Sequence, residues 1–381
     1  YLRKNTDRRH PTSIAKMRKD ENINAYIGDK ETINRLLKDM ANIMNLEDGG
    51  SDYKPEAEWR LYFDDFKKFY GDKERYERDD SDEDDSYIAN VMRIKNLYYN
   101  RTFSEKEVDS IIEGIMATRT LDSKSAQELV RKVEDNMTTA FYKRTPRHIC
   151  KVQEPELADR ELLKDNLAII QKAIDDNVRI QFRFNGYSYE KKLEPVREES
   201  DELSPYYIVA SGGKYYLLAA KEYEGYKPNM SIWRIDLMID IEIPGRNDRL
   251  HIKGIPRIPK KNVANLPEKW SEDFQLKHLN MSFDKPVLVT LRIKSEKCED
   301  NPKKRVRPGY TFLHDWFGDS FTYIRTETKP PYDDIVRVEC SPYGMAHWAL
   351  QYSELVEVLE PESLREDIKS KIKALNEKYS L

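Results

Sequence analysis

Apolar residues recur along this chain with two different periods, and the change of period marks its parts. Between residues 13 and 45, and again between 104 and 177, they fall three and four positions apart, the spacing that lines one face of a helix. Between 178 and 243 they alternate with polar residues, the spacing of half-buried strands. The helical periods have recognisable starts. Pro11 followed by Thr12 and Ser13 stops one helix and caps the next, which carries Ile14 and Met17 on one face. Asp29 caps a longer helix from Lys30 to Met44, with Ile33, Leu36, Leu37, Met40 and Ile43 at helical spacing. Ser104 and Glu107 form a capping box ahead of Val108, Ile111, Ile112, Ile115 and Met116. Asp122 and Ser123 open a helix through Leu129, Val130 and Val133, and Asp159 one through Leu162, Leu163, Leu167, Ile170 and Ile174, stopped at Asn177.

The alternating part reads as five strands. Val178–Phe184 and Tyr187–Pro195 flank a turn at Asn185–Gly186. Tyr206–Ala210 and Tyr215–Ala220 flank Ser211-Gly212-Gly213-Lys214, where glycine supplies the positive φ of a tight hairpin. Ile232–Ile239 alternates again. Five short strands of this kind make a small barrel. Further on, strands are expected at 287–293, 320–326, 335–341 and 355–359, with helices from Gly344 and from Pro361, a residue suited to a first helical turn.

Two segments fit neither period. Glu58–Tyr70 holds Trp59, Tyr62, Phe63, Phe66, Phe69 and Tyr70 and is expected as a packing helix; seven acids between Glu77 and Ser86 are expected as a disordered loop. Val91–Tyr99 alternates and is expected as one side of a wing. Arg246–Asn265 is basic and proline-containing and reads as an extended linker.

Composition narrows the function classes. The 381 residues allow two or three domains; 35% are charged, 39% hydrophobic and 24 are tyrosines. A net charge of −4 means that nucleic-acid binding must come from local patches. One such patch is Tyr1–Lys19, with seven Lys/Arg against the single acid Asp7. Cys150, Cys298 and Cys340 have no paired spacing, which points to a reducing, cytoplasmic setting rather than a disulfide frame or a zinc site. No apolar run approaches the roughly 20 residues of a membrane span. The six histidines form no HExxH or paired-ligand pattern, and no glycine-rich phosphate loop occurs, so no catalytic residue, metal or cofactor is expected and the chain reads as a non-enzyme.

Helix, turn, helix in the first 45 residues is a DNA-binding arrangement. The second helix would present Lys30, Thr32, Asn34, Arg35 and Lys38 to a major groove. A plain helical bundle with a solvated polar face has the same pattern. On the barrel strands Arg183, Lys191, Lys192, Lys214 and Arg234 interleave with Tyr187, Tyr189, Tyr206, Tyr207, Tyr215 and Tyr216. Cations neutralise phosphate and aromatic faces stack bases, the needs of a nucleotide or single-stranded ligand. Only one of the adjacent Tyr215 and Tyr216 can face inward.

These residues carry a resemblance. Lys214-Tyr215-Tyr216-Leu217-Leu218-Ala219, followed by Trp233-Arg234-Ile235-Asp236, resembles the WYL domain, with Tyr215-Tyr216-Leu217 at its Trp-Tyr-Leu. The position of that family's second arginine is Leu237 here. Asp29–Leu37, Phe103–Val108 and the stretch from Ile335 through Trp348–Glu366 resemble the recognition helix, linker and C-terminal extension of WYL-family regulators. The resemblance implies an α+β chain in five parts: a winged-helix-like DNA-binding domain with an acidic insertion (1–100), a helical connector (101–164), an Sm-like small β-barrel (165–245), a linker (246–285) and a ferredoxin-like α/β extension that dimerises (286–381). It implies a homodimeric bacterial transcriptional regulator on double-stranded DNA. Its nucleotide or nucleic-acid ligand would contact Arg183, Lys192, Tyr207, Lys214, Tyr216 and Arg234. The other function open to the same residues is an accessory protein that binds single-stranded RNA or DNA through the barrel.

Overall fold

The structure is a computed structural model, and it describes residues 1–24, 30–47, 54–64, 94–118, 121–144, 160–294, 297–298, 301–305 and 309–379. It divides into two compact units, Tyr1–Glu156 and Leu157–Leu381.

The first unit starts with α1 (Leu2–Asn5), α2 (Ile14–Met17), α3 (Glu21–Asn24) and α4 (Lys30–Asn45), followed by β1 (Leu61–Tyr62) and β2 (Tyr98–Tyr99). Ser13 caps α2 by accepting from the Lys16 amide. The β1 and β2 strands pair antiparallel, and Thr12 extends the ladder by exchanging two backbone hydrogen bonds with Leu97. The core joins Ile14, Met17, Ile33, Leu37 and Ala41 to Trp59, Leu61, Phe63, Ile94 and Leu97. Asn45, fully buried at the end of α4, donates to the Leu61 carbonyl and accepts from the Arg60 and Leu61 amides, tying helix to strand. The aromatic segment expected as a helix from Glu58 is therefore extended at Leu61–Tyr62, because its large side chains alternate into this core; Phe66, Phe69 and Tyr70 lie outside the described residues, as do the acidic run and Asp29. Of Val91–Tyr99 only Tyr98–Tyr99 is strand among the described residues.

Two helices follow, α5 (Glu105–Ala117) and α6 (Ser123–Met137), packed through Val108, Ile112, Val130 and Val133. Both expected caps form. Ser104 and Glu107 make the reciprocal capping box, and Asp122 accepts from the Ser125 amide. Asp159 lies outside the described residues.

The second unit opens with α7 (Arg160–Asp176), which ends at Asn177 in the left-handed region (φ 57°). Then come β3 (Ile180–Tyr187), β4 (Leu193–Pro195), β5 (Asp201–Ser211), β6 (Lys214–Tyr223), β7 (Tyr226–Arg234), a 3₁₀ turn at Ile235–Leu237 and β8 (Met238–Glu242). They form a curled antiparallel sheet in the order β4-β3-β5-β6-β7, with β8 on β3. The Gly212–Gly213 hairpin forms as expected, with φ of 55° and 73°. Six strands stand where five were expected, and several boundaries differ: β5 starts at Asp201 rather than Tyr206, and β7 at Tyr226 rather than Ile232. Asn185 and Gly186 continue β3, paired with Pro195 and Glu194, and the chain reverses at Ser188–Lys192, where Lys191 takes the positive φ. The alternation at 232–239 breaks at the 3₁₀ turn, which buries Ile235, Asp236 and Leu237 together.

The sheet is apolar on both faces. Leu217 and Ala219 of β6 join Ile180, Phe182, Leu203, Ile235 and Met238 under α7. Leu218 and Ala220 join Tyr206, Val209 and Met230 under a different cover: Ile258, Val263, Leu266, Phe274 of the short helix α8 (Phe274–Lys277) and Met281. The expected extended linker is thus a structured layer. It is bonded to the barrel through Arg257 to Asn177 and through Ala264 to Pro228 and Met230.

The C-terminal part holds β9 (Val287–Ile293), a small hairpin of β10 (Lys297–Cys298) and β11 (Asn301–Arg305), α9 (Thr311–Phe317), β12 (Thr322–Thr326), β13 (Asp334–Cys340), α10 (Pro342–Gln351), β14 (Val356–Glu360) and α11 (Glu362–Tyr379). Its four-stranded sheet is antiparallel throughout, in the order β12-β13-β9-β14, with α9 and α10 in the crossovers. Trp348, Phe317, Leu313 and Met345 fill its core, and Ser341 caps α10.

Candidate nucleic-acid interface

Strand register puts four of the six expected ligand residues on one face of the barrel sheet. Val209 lies opposite Tyr216, and Tyr216 opposite Arg234; one row along, Tyr207 lies opposite Leu218, and Leu218 opposite Ile232. Side chains directly opposite each other share a face, and alternation puts Lys214 beside Tyr216 there. Tyr216 and Tyr207 pack against the Leu218 side of the sheet, whereas Tyr215 packs with the α7 core.

Arg234 is held by a carboxylate fork. Its Nε and Nη2 donate to the two carboxylate oxygens of Asp236 at 3.1 and 2.6 Å, and Asp236 is buried. The hydrogen bonds to Asp236 and its charge raise the guanidinium pKa against desolvation. An acidic partner for Arg234 is therefore supplied by the chain itself. This fork uses the Nε edge and leaves Nη1 for a second acceptor.

The 3₁₀ turn carrying Asp236 is itself held. Asn166, fully buried on α7, donates from Nδ2 to the carbonyls of Ile235 (3.2 Å) and Met238 (2.8 Å), and its Oδ1 is buried without a hydrogen-bond partner. Asn166 sits on the inward side with Leu163, Ile170 and Ala173, a polar residue among apolar positions. Neither Asp236 nor Asn166 was among the expected site residues. The signals were present: an acid two positions after the arginine, and an asparagine inside a helical apolar period.

Tyr207 is not free to stack on a ligand with its hydroxyl unengaged. The hydroxyl lies 3.0 Å from the Pro267 and Glu268 carbonyls and accepts from Lys260 Nζ at 2.8 Å, and its ring packs near Trp270. Beside it, Arg257 lies over the Tyr206 ring and donates to the Pro205 carbonyl and Asn177; burial lowers its pKa.

The other two expected residues lie elsewhere. Arg183 faces away from the apolar core on β3 and pairs with Asp240 of β8. Lys192 lies in the β3–β4 reversal and pairs with Glu190 at 2.6 Å. Most barrel cations are balanced in this way: Arg179 by Glu202 and Glu222, and Arg197 and Lys221 by the buried Asp201.

On α4 the expected groove-facing residues divide. Arg35 is exposed, and Thr32 and Asn34 are half-buried. Lys38 is buried, with its pKa lowered by desolvation, so it does not belong to an outer face. The side chain of Lys30 lies outside what the structure describes. The helix has rolled so that Ile33, Leu37 and Ala41 enter the core. Leu36, Met40 and Ile43, expected inward, are exposed. The core of Trp59, Leu61 and Phe63 reaches only the Leu37 side of the apolar stripe.

Among the described residues no group of three or more His, Cys, Asp and Glu could hold a metal ion, and no helix is long and apolar enough to cross a membrane.

Residues 285–375 match the WCX domain, a WYL-related family. That match covers the stretch where the sequence resembles the C-terminal extension of WYL regulators. No curated protein matches the chain. Among solved structures it is similar to proteasome accessory factor B/C (PafBC) of Arthrobacter aurescens, at 16% identity and a TM-score of 0.24, over 92% of this chain and 49% of that one. It is also similar to a CRISPR Cas-related protein, at 13% identity and a TM-score of 0.30, over 97% and 93%. This chain spans about half the length of PafBC. Both TM-scores are too low for either likeness to define the fold.

Proposed function

We propose that the chain is a ligand-responsive, non-catalytic transcriptional regulator. In this reading the N-terminal unit binds double-stranded DNA. The barrel senses a nucleotide or single-stranded nucleic acid on the face that carries Lys214, Tyr216 and Arg234. The observation that carries it is the cross-strand pairing of Tyr216 with Arg234, a stacking surface beside a guanidinium with one edge open, in a chain whose C-terminal region matches a WYL-related domain.

The order of elements supports the finer parts. A helix, a single strand residue at Thr12, two short helices, α4 and a two-stranded ladder closed on Leu97 follow one another as in a winged helix, with α4 in the recognition position. The antiparallel order β12-β13-β9-β14, with helices in the crossovers, supports a ferredoxin-like extension, to which we assign homodimer contacts. The unpaired spacing of Cys150, Cys298 and Cys340 supports a cytoplasmic setting. The second reading, an accessory protein that binds single strands through the barrel alone, draws on α4: a helix that buries Lys38 and exposes Leu36, Met40 and Ile43 presents little charge to a groove.

Binding of the full chain to random duplex and to random single strands over a salt series tests both. The slope of affinity with salt counts the phosphates neutralised. Duplex binding that weakens in Arg35→Ala supports the regulator. Single-strand binding that depends on Arg234, with no salt-sensitive duplex binding, supports the accessory protein. Binding of neither overturns both.

A further inference from the structure

The first unit holds a cavity of about 650 Å³ that none of the expected site residues line. Its walls come from the Arg9–Ser13 loop, Lys16 of α2, Lys95 and Asn96 before β2, and Phe141 after α6. Three cations point to it: Arg9, Lys16 and Lys95 are exposed, and none has an acidic partner among the described residues. Among the described residues no acid lines the cavity. In the barrel, by contrast, Arg179, Arg183, Lys192, Arg197, Lys221 and Arg234 all have carboxylate partners.

One wall is aromatic. The His10 ring stacks on Phe141 at 4.0 Å between centroids and 16° between planes, and both side chains remain partly exposed. The ring is fixed from behind. Asp7 lies 3.0 Å from Nδ1 and accepts the backbone amides of Arg9 and His10. Burial tends to raise the Asp7 pKa, but these hydrogen bonds outweigh it and keep the carboxylate charged. Asp7 faces a neighbouring cavity rather than this one. The cleft therefore combines a preset aromatic stack with uncompensated positive charge, in a volume of the size that small ligands fill.

We propose that this cleft binds a nucleotide unit with an unpaired base, either a free nucleoside phosphate or a nucleotide within a single strand. Arg9, Lys16 and Lys95 hold the phosphate, and the base extends the His10–Phe141 stack. A duplex offers the cations its phosphates but gives the aromatic wall no open base face, so the pairing of the two features selects the unpaired form. The site is separate from the Arg234 face and does not depend on duplex binding by α4.

The test is calorimetric titration of the full chain in an Arg234→Ala background, which silences the barrel face. The probes are AMP, a short 5′-phosphorylated oligo(dT) and a random duplex. Arg9→Glu, Lys16→Glu and Lys95→Glu replace exposed side chains, so the fold is retained. Phe141→Ala removes the stack and Phe141→Tyr restores it. The expected result is binding of AMP or of the single strand that falls about tenfold or more in each charge reversal and in Phe141→Ala, and returns in Phe141→Tyr. Binding of both probes assigns the free nucleotide as a ligand; binding of the strand alone assigns the strand. Absence of binding to either, binding indifferent to these substitutions, or cleft-dependent binding of the duplex alone would overturn the proposal.

Discussion

Asp236 occupies the carboxylate-binding edge of Arg234 two residues earlier in the chain, and it does so while buried. A ligand anion at Arg234 must therefore use the remaining edge or displace Asp236. Replacing Asp236 by Asn keeps the shape and removes the competing charge. We expect Asp236→Asn to tighten single-strand binding by about threefold or more, since charge-assisted forks are the strong ones. Fluorescence anisotropy with a labelled strand measures it, and the gain should disappear in Asp236→Asn/Arg234→Ala. Unchanged or weaker binding would show that Asp236 is part of the ligand's own contact set.

Asn166 joins α7 to the turn that carries Asp236. Asn166→Ala removes its two hydrogen bonds to the turn, leaving the Ile235 carbonyl only the Met238 amide and taking the side-chain donor from the Met238 carbonyl, at a cost of about 1–3 kcal/mol. Asn166→Asp should cost more, because a buried carboxylate would face two carbonyls. Urea midpoints of the two variants against the parent settle the order.

His278 supplies a pH dependence. It is buried, stacks on Phe274 at 4.1 Å and lies with Nδ1 2.7 Å from the Ser282 carbonyl. Burial lowers its pKa below 6.5, against the raising effects of that hydrogen bond and of Asp284. The unfolded chain then binds the proton more readily than the folded one. Its contribution is complete above about pH 6.5 and is lost as pH falls below it, toward the lowered folded value. Thermal midpoints should drop between pH 7 and 5, and His278→Gln should flatten that part of the curve.

Gly344 lies in the first turn of α10, where alanine would ordinarily favour the helix by about 1 kcal/mol. A Cβ there would stand 2.7 Å from Ser282 Oγ and 2.8 Å from both the Leu279 carbonyl and Ser341 Oγ. Overpacking against backbone dominates, and we expect Gly344→Ala to destabilise by about 1–3 kcal/mol in denaturant titrations.

Cys340 is fully buried, and burial pushes its thiol pKa up to about 12. The folded protein should leave it unalkylated by iodoacetamide at pH 8, and modification should appear with unfolding. Peptide-level mass spectrometry reads it directly.

Much of this architecture was legible because local signals fixed it. Ser104–Glu107, Asp122 and Gly212–Gly213 act within a few residues of themselves, and all three behave as their spacing implies. The Tyr215/Tyr216 division follows from strand alternation alone. What failed depended on partners distant in sequence. Asn185–Gly186 has the composition of a turn, but pairing with Glu194 and Pro195 holds it in the strand. Lys38 has the composition of a surface residue, but the core position of Leu37 and Ala41 takes it inward. The six ligand residues were chosen by type and strand. Type could not show that Arg183, Lys192 and Arg234 already have carboxylate partners, at Asp240, Glu190 and Asp236.

The layer formed by Ile258, Val263, Leu266, Phe274 and Met281 changes where this chain can be cut. A fragment ending near residue 245, at the last barrel strand, would present Val209, Leu218, Ala220 and Met230 to water as one apolar sheet face. Such a piece would be recovered as aggregate, whereas one carried through Met281 keeps that face covered. The strands alone are therefore not the folding unit; the stretch that reads as a connector is its outer wall.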